Sequence, residues 1–167
     1  MQLFVFGAVS LLMVGGAGKW QAPKDPSHQL DFWVGEWKCS GEMHGANGQV
    51  TKTNAQNSIT REYGGHVIHE HFKMTGLNGM SVSVYNPQKK IWQQTWADDG
   101  GGYIVLTGAY ANDKMTLATT PGPKGGTSRM VFSNITKSSF DWDWEGSKDS
   151  GKTWTLQWHL HYVRKPK

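Results

Sequence analysis

Three histidines and a glutamate crowd into GGHVIHEHF, residues 64–72, and a second histidine pair lies in WHLHYVRK near the C-terminus. Histidine beside carboxylate is the raw material of metal sites, haem ligation and general acid–base chemistry. A His-x-His pair on one strand spaces its Cα atoms about 6.5–7 Å apart, near enough for both rings to reach one ion. His69 with His71, and His159 with His161, are the candidate pairs. Whether they can act depends on the strands that carry them, because alternate residues of a strand face opposite sides of a sheet.

Turn signals recur at short intervals: HGANGQ, EYGG, TGLNGM, NPQKK, ADDGGG, YANDK, PGPKGG, SNITKS and SKDSGK. The segments between them are rich in Val, Ile, Thr, Tyr and Trp. Short strands punctuated by Gly, Asn and Pro mean an all-β sandwich or barrel. The expected strands cover roughly 35–44, 50–62, 66–75, 80–86, 90–98, 102–110, 113–120, 127–134, 138–146 and 153–163. Their connections are hairpin-short, which favours a single closed up-and-down antiparallel barrel of about ten strands. Residues 28–33, HQLDFW, are expected to make a helical turn that plugs one end, preceded by a flexible lead-in over 19–27. SKDSGKTW, residues 147–154, fits the Asp-box pattern of β-hairpins: Asp149 holds the loop amides and Trp154 is expected to pack inward.

Sorting each strand into two rows separates a core side from a water side. Phe140, Trp142 and Trp144 oppose Asp141, Asp143 and Glu145. Three unpaired carboxylates cannot share a core, so the aromatics point in. In the last strand Trp154, Leu156, Trp158, Leu160 and Tyr162 form the inward row, which turns His159 and His161 outward unless that strand is bulged. In the third strand His66, Ile68, Glu70 and Phe72 share the inward row, leaving His69, His71 and Lys73 outside. Trp92, Gln94 and Trp96 point in, as do Trp37 and Cys39. Glu70 is thereby stranded in an apolar interior, where an ionisable group is costly and often marks a site.

The 167 residues suit one domain. Residues 3–14 form an apolar run followed by Gly15, Gly16, Ala17 and Gly18, the pattern of a secretory signal peptide over 1–18. Periplasmic or secreted localisation is expected, with no membrane insertion after cleavage. Cys39 is the only cysteine, so no internal disulfide can form. The net charge of +4 is scattered rather than striped, which argues against a nucleic-acid partner. Nine tryptophans supply either a filled barrel or an aromatic-lined pocket.

Taken in order, LDFWVGEWKCSG, GGHVIHEHF, SVSVYNPQKKIWQQTWADDGGGYIVLTGAY and SKDSGKTWTLQWHLHYVRK resemble the DUF1579-like family, small bacterial proteins with a lipocalin-like (calycin) β-barrel. The resemblance spans about 30–164. It implies that Gly35 and Trp37, the G-x-W of GEW, form the barrel-closing signature, and that Glu70 carries over within the family's stretch at 69–72. His66 and His69 depart from the family's usual apolar or small residues. The fold is also similar to that of nitrobindins, which hold haem; such a site would need an inward His on the C-terminal strands.

These features support a barrel that binds a small apolar or aromatic molecule, with Glu70, Trp92, Gln94, Trp96, Trp142, Trp144 and Trp158 as ligand-binding candidates. No cofactor is expected. The alternatives are a haem- or metal-binding barrel using His69, His71, His159 or His161, and an isomerase- or cyclase-type enzyme with Glu70 as general base assisted by His66, Tyr85 or Tyr63. A barrel filled by its own indoles is the fourth possibility. A small-molecule partner and a monomer or homodimer complete the expectation.

Overall fold

The structure, a computed structural model, describes residues 18–166. The expected signal peptide therefore lies outside the described residues, apart from Gly18. Ten strands follow one another in chain order: β1 (Gly35–His44), β2 (Val50–Glu62), β3 (Val67–Met74), β4 (Leu77–Asn86), β5 (Ile91–Asp98), β6 (Tyr103–Ala111), β7 (Lys114–Ala118), β8 (Thr127–Ser133), β9 (Ser139–Ser147) and β10 (Thr155–Arg164). Each pairs antiparallel with its sequence neighbours. Pairing of β1 with β10, from Trp37 opposite Arg164 to Met43 opposite Trp158, closes the barrel. Closure leaves no sheet edge exposed.

The expected plug is present as two short 3-10 turns, Pro26–His28 and Asp31–Trp33. Phe32 meets Phe140 and Phe132 edge-on at 5.4 and 5.6 Å, and Trp37 meets Phe140 at 4.8 Å. Trp37 Nε1 donates to the Trp33 carbonyl at 2.7 Å, tying the plug to β1. At the start of the expected lead-in over 19–27, Lys19 bridges to Thr136 and pairs with Asp113, while Trp20 packs on Phe32 and Tyr110. The turns near residues 44–50, 74–77, 98–103, 118–127 and 147–155 surround the opposite end.

Arg164 is the clasp of the plugged end. Its guanidinium stacks 4.1 Å above the Trp37 ring and donates to the carbonyls of Val34, Phe32 and Lys137 at 2.8, 3.0 and 2.9 Å. Gly35 makes this possible: at φ +137°, a Cβ there would lie 2.1 Å from Arg164 Nη1. The G-x-W pattern thus has a physical content, a ring for the cation to lie on and a bare backbone to let it in.

The row assignments hold for most strands. Trp37, Cys39, Ile68, Phe72, Trp92, Gln94, Phe140, Leu160 and Tyr162 are all buried. Two assignments need correction. A β-bulge between Leu156 and Trp158 reverses the parity of the residues before it. Leu156 consequently stands opposite Glu145 and is 37% exposed, and Trp154 lies outside the barrel under the Arg129 guanidinium at 4.1 Å. His66 is the other exception; it follows the 3-10 turn Tyr63–Gly65 rather than lying on β3, and it is exposed. The Asp-box turn itself forms as expected. Asp149 accepts from Ser147 Oγ, the Thr153 amide and hydroxyl, and the Lys152 amide, and these bonds hold its carboxyl down at about 2.

Replacing Arg164 by Ala removes one cationic fork and its stacking partner. The expected loss is about 2 kcal/mol, or a fall of roughly 4–8 °C in Tm, readable by calorimetry. Arg164→Lys keeps the charge but not the fork, and should recover less than half of the difference.

Candidate functional site

The barrel interior is not filled. A cavity of about 220 Å3 occupies the half away from the plug. Trp33 of the plug and Leu160 and Tyr162 of β10 belong to its deeper lining, Trp142 and Trp144 of β9 and Trp158 of β10 to one wall, and Phe72 of β3 and Trp96 of β5 to another. Leu77 of β4, Asp98 at the end of β5, Ile104 and Leu106 of β6, and Met130 of β8 complete it. Trp96, Trp142, Trp144 and Trp158 point inward yet are only half-buried, because the space they border is open to solvent at the end opposite the plug.

The indoles are held in a fixed geometry. Trp142 and Trp144, two residues apart on one row, stack at 14° and 6.4 Å, and Trp158 meets Trp142 edge-on at 5.4 Å. Phe72 meets Trp158 and Trp96 edge-on at 5.8 and 6.1 Å. Trp158 Nε1 donates to Thr53 Oγ1 at 3.1 Å, and Trp96 Nε1 donates to Asp98 Oδ2 at 2.9 Å. Gly79 of β4 leaves room for Trp96, since a Cβ there would lie 2.2 Å from that ring. The N–H groups of Trp96 and Trp158 are therefore occupied within the barrel, while all four rings border the cavity. Trp33 differs: its buried Nε1–H has no protein partner.

Glu70 lines this aromatic cavity and is 6% exposed. Asn57 Nδ2 donates to its Oε1 at 2.6 Å and Ser81 Oγ to its Oε2 at 2.5 Å. Asn57 also donates to the Tyr162 hydroxyl at 3.2 Å. Burial pushes the Glu70 carboxyl up to about 7, against the two hydrogen bonds that favour its charged form. Burial likewise drives the Tyr162 phenol well above its ordinary value and the Cys39 thiol up to about 12. Asp98 behaves oppositely. The Trp96 indole and the Gly102 and Gly100 amides hold its carboxyl below the usual range.

Of the ligand-binding candidates, the fold brings Glu70, Trp96, Trp142, Trp144 and Trp158 to the cavity. Trp92 and Gln94 face inward but serve the core nearer the plug: Trp92 Nε1 donates to the Pro26 carbonyl at 3.2 Å, and Gln94 Nε2 donates to Ser83 Oγ at 2.9 Å. Neither lines the cavity. The groups considered as helpers to a Glu70 base are elsewhere. Tyr85 packs on Trp92 at 5.7 Å, Tyr63 is 79% exposed, and His66 is exposed beyond the end of β3. Sequence reasoning misses Asn57 and Ser81, although Asn57 shares its row with Ile59 and Ala55; Asp98 continues the row of Trp92, Gln94 and Trp96 but carries no site signal of its own.

The histidine pairs stand on the outer surface. His159 and His161 bond Asp143 and Asp141, opposite them on β9, at 2.7 and 2.6 Å. The bulge of β10 precedes Trp158 and leaves their orientation unchanged. His69 and His71 have ring centroids 4.3 Å apart, with His69 3.4 Å from Glu62. β1 and β2 separate the two pairs. Among the described residues no three His, Cys, Asp or Glu side chains converge as a metal site would need.

A closed antiparallel ten-stranded meander with a plugged end and a lumenal cavity defines a lipocalin-like barrel. Solved structures that are similar in fold include two at low sequence identity. Rv2717c from M. tuberculosis is 12% identical with a TM-score of 0.57, over 84% of this chain and 98% of that one. The S-type phycobiliprotein lyase CPES from Guillardia theta is 12% identical with a TM-score of 0.58, over 83% of this chain and 91% of that one. The likeness is one of fold. No family model and no curated protein matches the chain, and among the described residues no helix is long and apolar enough to cross a membrane.

The raised Glu70 carboxyl makes stability depend on pH. From about 4.5, where the unfolded chain titrates, to about 7, the folded protein binds more protons than the unfolded one, so stability falls as pH rises. The full stabilisation is present below this window and is lost above it, on the order of 3 kcal/mol. Urea unfolding of Glu70→Gln across the same window should lack this component; an unaltered pH profile would show that the carboxyl is not the source.

Proposed function

We propose that this protein is an exported, DUF1579-like barrel that binds a small, flat, largely apolar molecule of one or two rings in the indole-walled cavity. The observation that carries the reading is the set of four half-buried tryptophans that border open space inside the barrel, two of them, Trp96 and Trp158, with their N–H groups satisfied within it. A core filled by its own side chains would have closed that space. At about 220 Å3 the cavity exceeds the ~150 Å3 that accommodates benzene and falls below the ~300 Å3 at which drug-sized sites begin. Ring stacking supplies affinity, and Glu70, fixed by Asn57 and Ser81, supplies a polar anchor.

Haem is not part of this reading. The four candidate histidines bond or face outward, and the cavity is lined by neither His nor Cys. Nor does the geometry favour acid–base catalysis, since no second proton-transfer group of suitable affinity stands beside Glu70: its neighbours Tyr162 and Cys39 are both driven far up by burial.

Titration with a panel of one- and two-ring aromatics should quench and blue-shift tryptophan emission and raise Tm. Trp158→Ala should weaken the best binder about tenfold by removing one stacking face. Indifference of both emission and Tm to every compound would mean that no ligand site exists here.

A further inference from the structure

The electrostatics of the cavity are one-sided. Two carboxylates line it, Glu70 and Asp98, and among the described residues none of the lining side chains is Lys, Arg or His. The walls add to this sign. The π-face of an indole carries the negative end of its quadrupole, and Trp96, Trp142, Trp144 and Trp158 present such rings to one small space. Trp142 and Trp158 stand perpendicular, at 87°, so a ligand between them meets a face and an edge at a corner rather than a single stacking plane. A chain of net charge +4 has thus placed two carboxylates and no cationic side chain among the aromatic and aliphatic groups that line its cavity.

Resting on the ligand-binding reading above, we infer that the cavity selects an organic cation, an ammonium group on a small aromatic body, over its neutral and anionic counterparts. Such a ligand supplies what Glu70 lacks. The carboxylate has hydrogen-bond donors in Asn57 and Ser81 but no protein cation among its recorded partners. The weakly hydrated head of a substituted ammonium group is cheaply desolvated and attracted by ring faces, while Asp98 at the end of β5 adds a second negative charge.

Entry of a cation favours the charged form of Glu70, so its proton should leave for solvent on binding. The groups packed around it leave Glu70 as the one that responds. On β1 and β10, Cys39 and Tyr162 stay neutral because burial holds them high; on β5, Asp98 stays charged through its hydrogen bonds. β2 and β4 offer only Asn57 and Ser81, and the histidines of β3 lie on its outer face. The one opposing feature is the unpartnered Trp33 N–H, which would reward a hydrogen-bond acceptor.

Three probes of one ring each separate these possibilities: benzyltrimethylammonium, its uncharged carbon isostere neopentylbenzene, and phenylacetate. By calorimetry and tryptophan emission the cation should bind about tenfold or more tighter than the isostere, with phenylacetate weakest. Its affinity should rise as pH passes through about 7, and calorimetry in two buffers of different ionisation enthalpy should detect proton release, which a permanently charged probe cannot itself provide. In Glu70→Gln the cation-to-isostere ratio should fall towards one and the proton release should vanish. If that variant does not fold, the pH dependence in the unaltered protein decides. Equal or tighter binding of neopentylbenzene, or preference for phenylacetate, would overturn the cation inference and leave the cavity reading standing. Binding of none of the three would overturn both.

Discussion

Closure of the barrel between β1 and β10 is the constraint on which the other features rest. Once those strands pair, side chains on one row of each strand have no route to bulk water except through an end, and the plug seals one of the two. The plug is held by few interactions of high quality: a guanidinium on the Trp37 ring, three charge-assisted bonds to carbonyls, and a cluster of edge-to-face rings. What remains is a blind chamber whose contents depend on strand parity.

Within that chamber the costliest element is a carboxylate. Burial penalises its charged form, and the surrounding strands respond with hydrogen-bond donors rather than with a cation: Asn57 from β2 and Ser81 from β4. Asn57 also joins Glu70 to Tyr162, linking strands on both sides of β1 into one network. The donors are short. Ser81 and Ser83 stand opposite Trp96 and Gln94, where larger side chains would compete for the same volume, and Gly79 stands beside them under the Trp96 ring. Polarity and small size are thus both needed on β4, by Glu70 on one side and an indole on the other.

The outer surface shows why a histidine-rich sequence need not be a histidine site. His159 and His161 bond aspartates directly across the sheet, and these are the same carboxylates whose presence forces Trp142 and Trp144 inward. Ion pairs outside and aromatic walls inside are two consequences of one alternation. The feature that first draws the eye in the sequence is the solvated reverse of the cavity wall.

Local pattern sufficed for much of this. Turn residues delimited ten strands, short hairpins implied a meander, and rows such as Phe140–Trp142–Trp144 against Asp141–Asp143 declared their own faces, because a two-residue period is written in adjacent side chains. Glu70 could be placed indoors for the same reason. Three matters were decided only in three dimensions. The bulge before Trp158 turned Trp154 and Leu156 outward, and its position depends on how β10 registers against β9. The plug claimed Trp92 as a partner from 66 residues away in the chain. On β4 the serines went in and the valines out, with Ser81 fully buried and Val82 36% exposed, against the hydrophobic pattern of SVSV. Hydropathy reports the transfer preference of each residue alone, whereas register, closure and the volume of a facing indole belong to pairs of residues far apart in the chain; only folding brings them together.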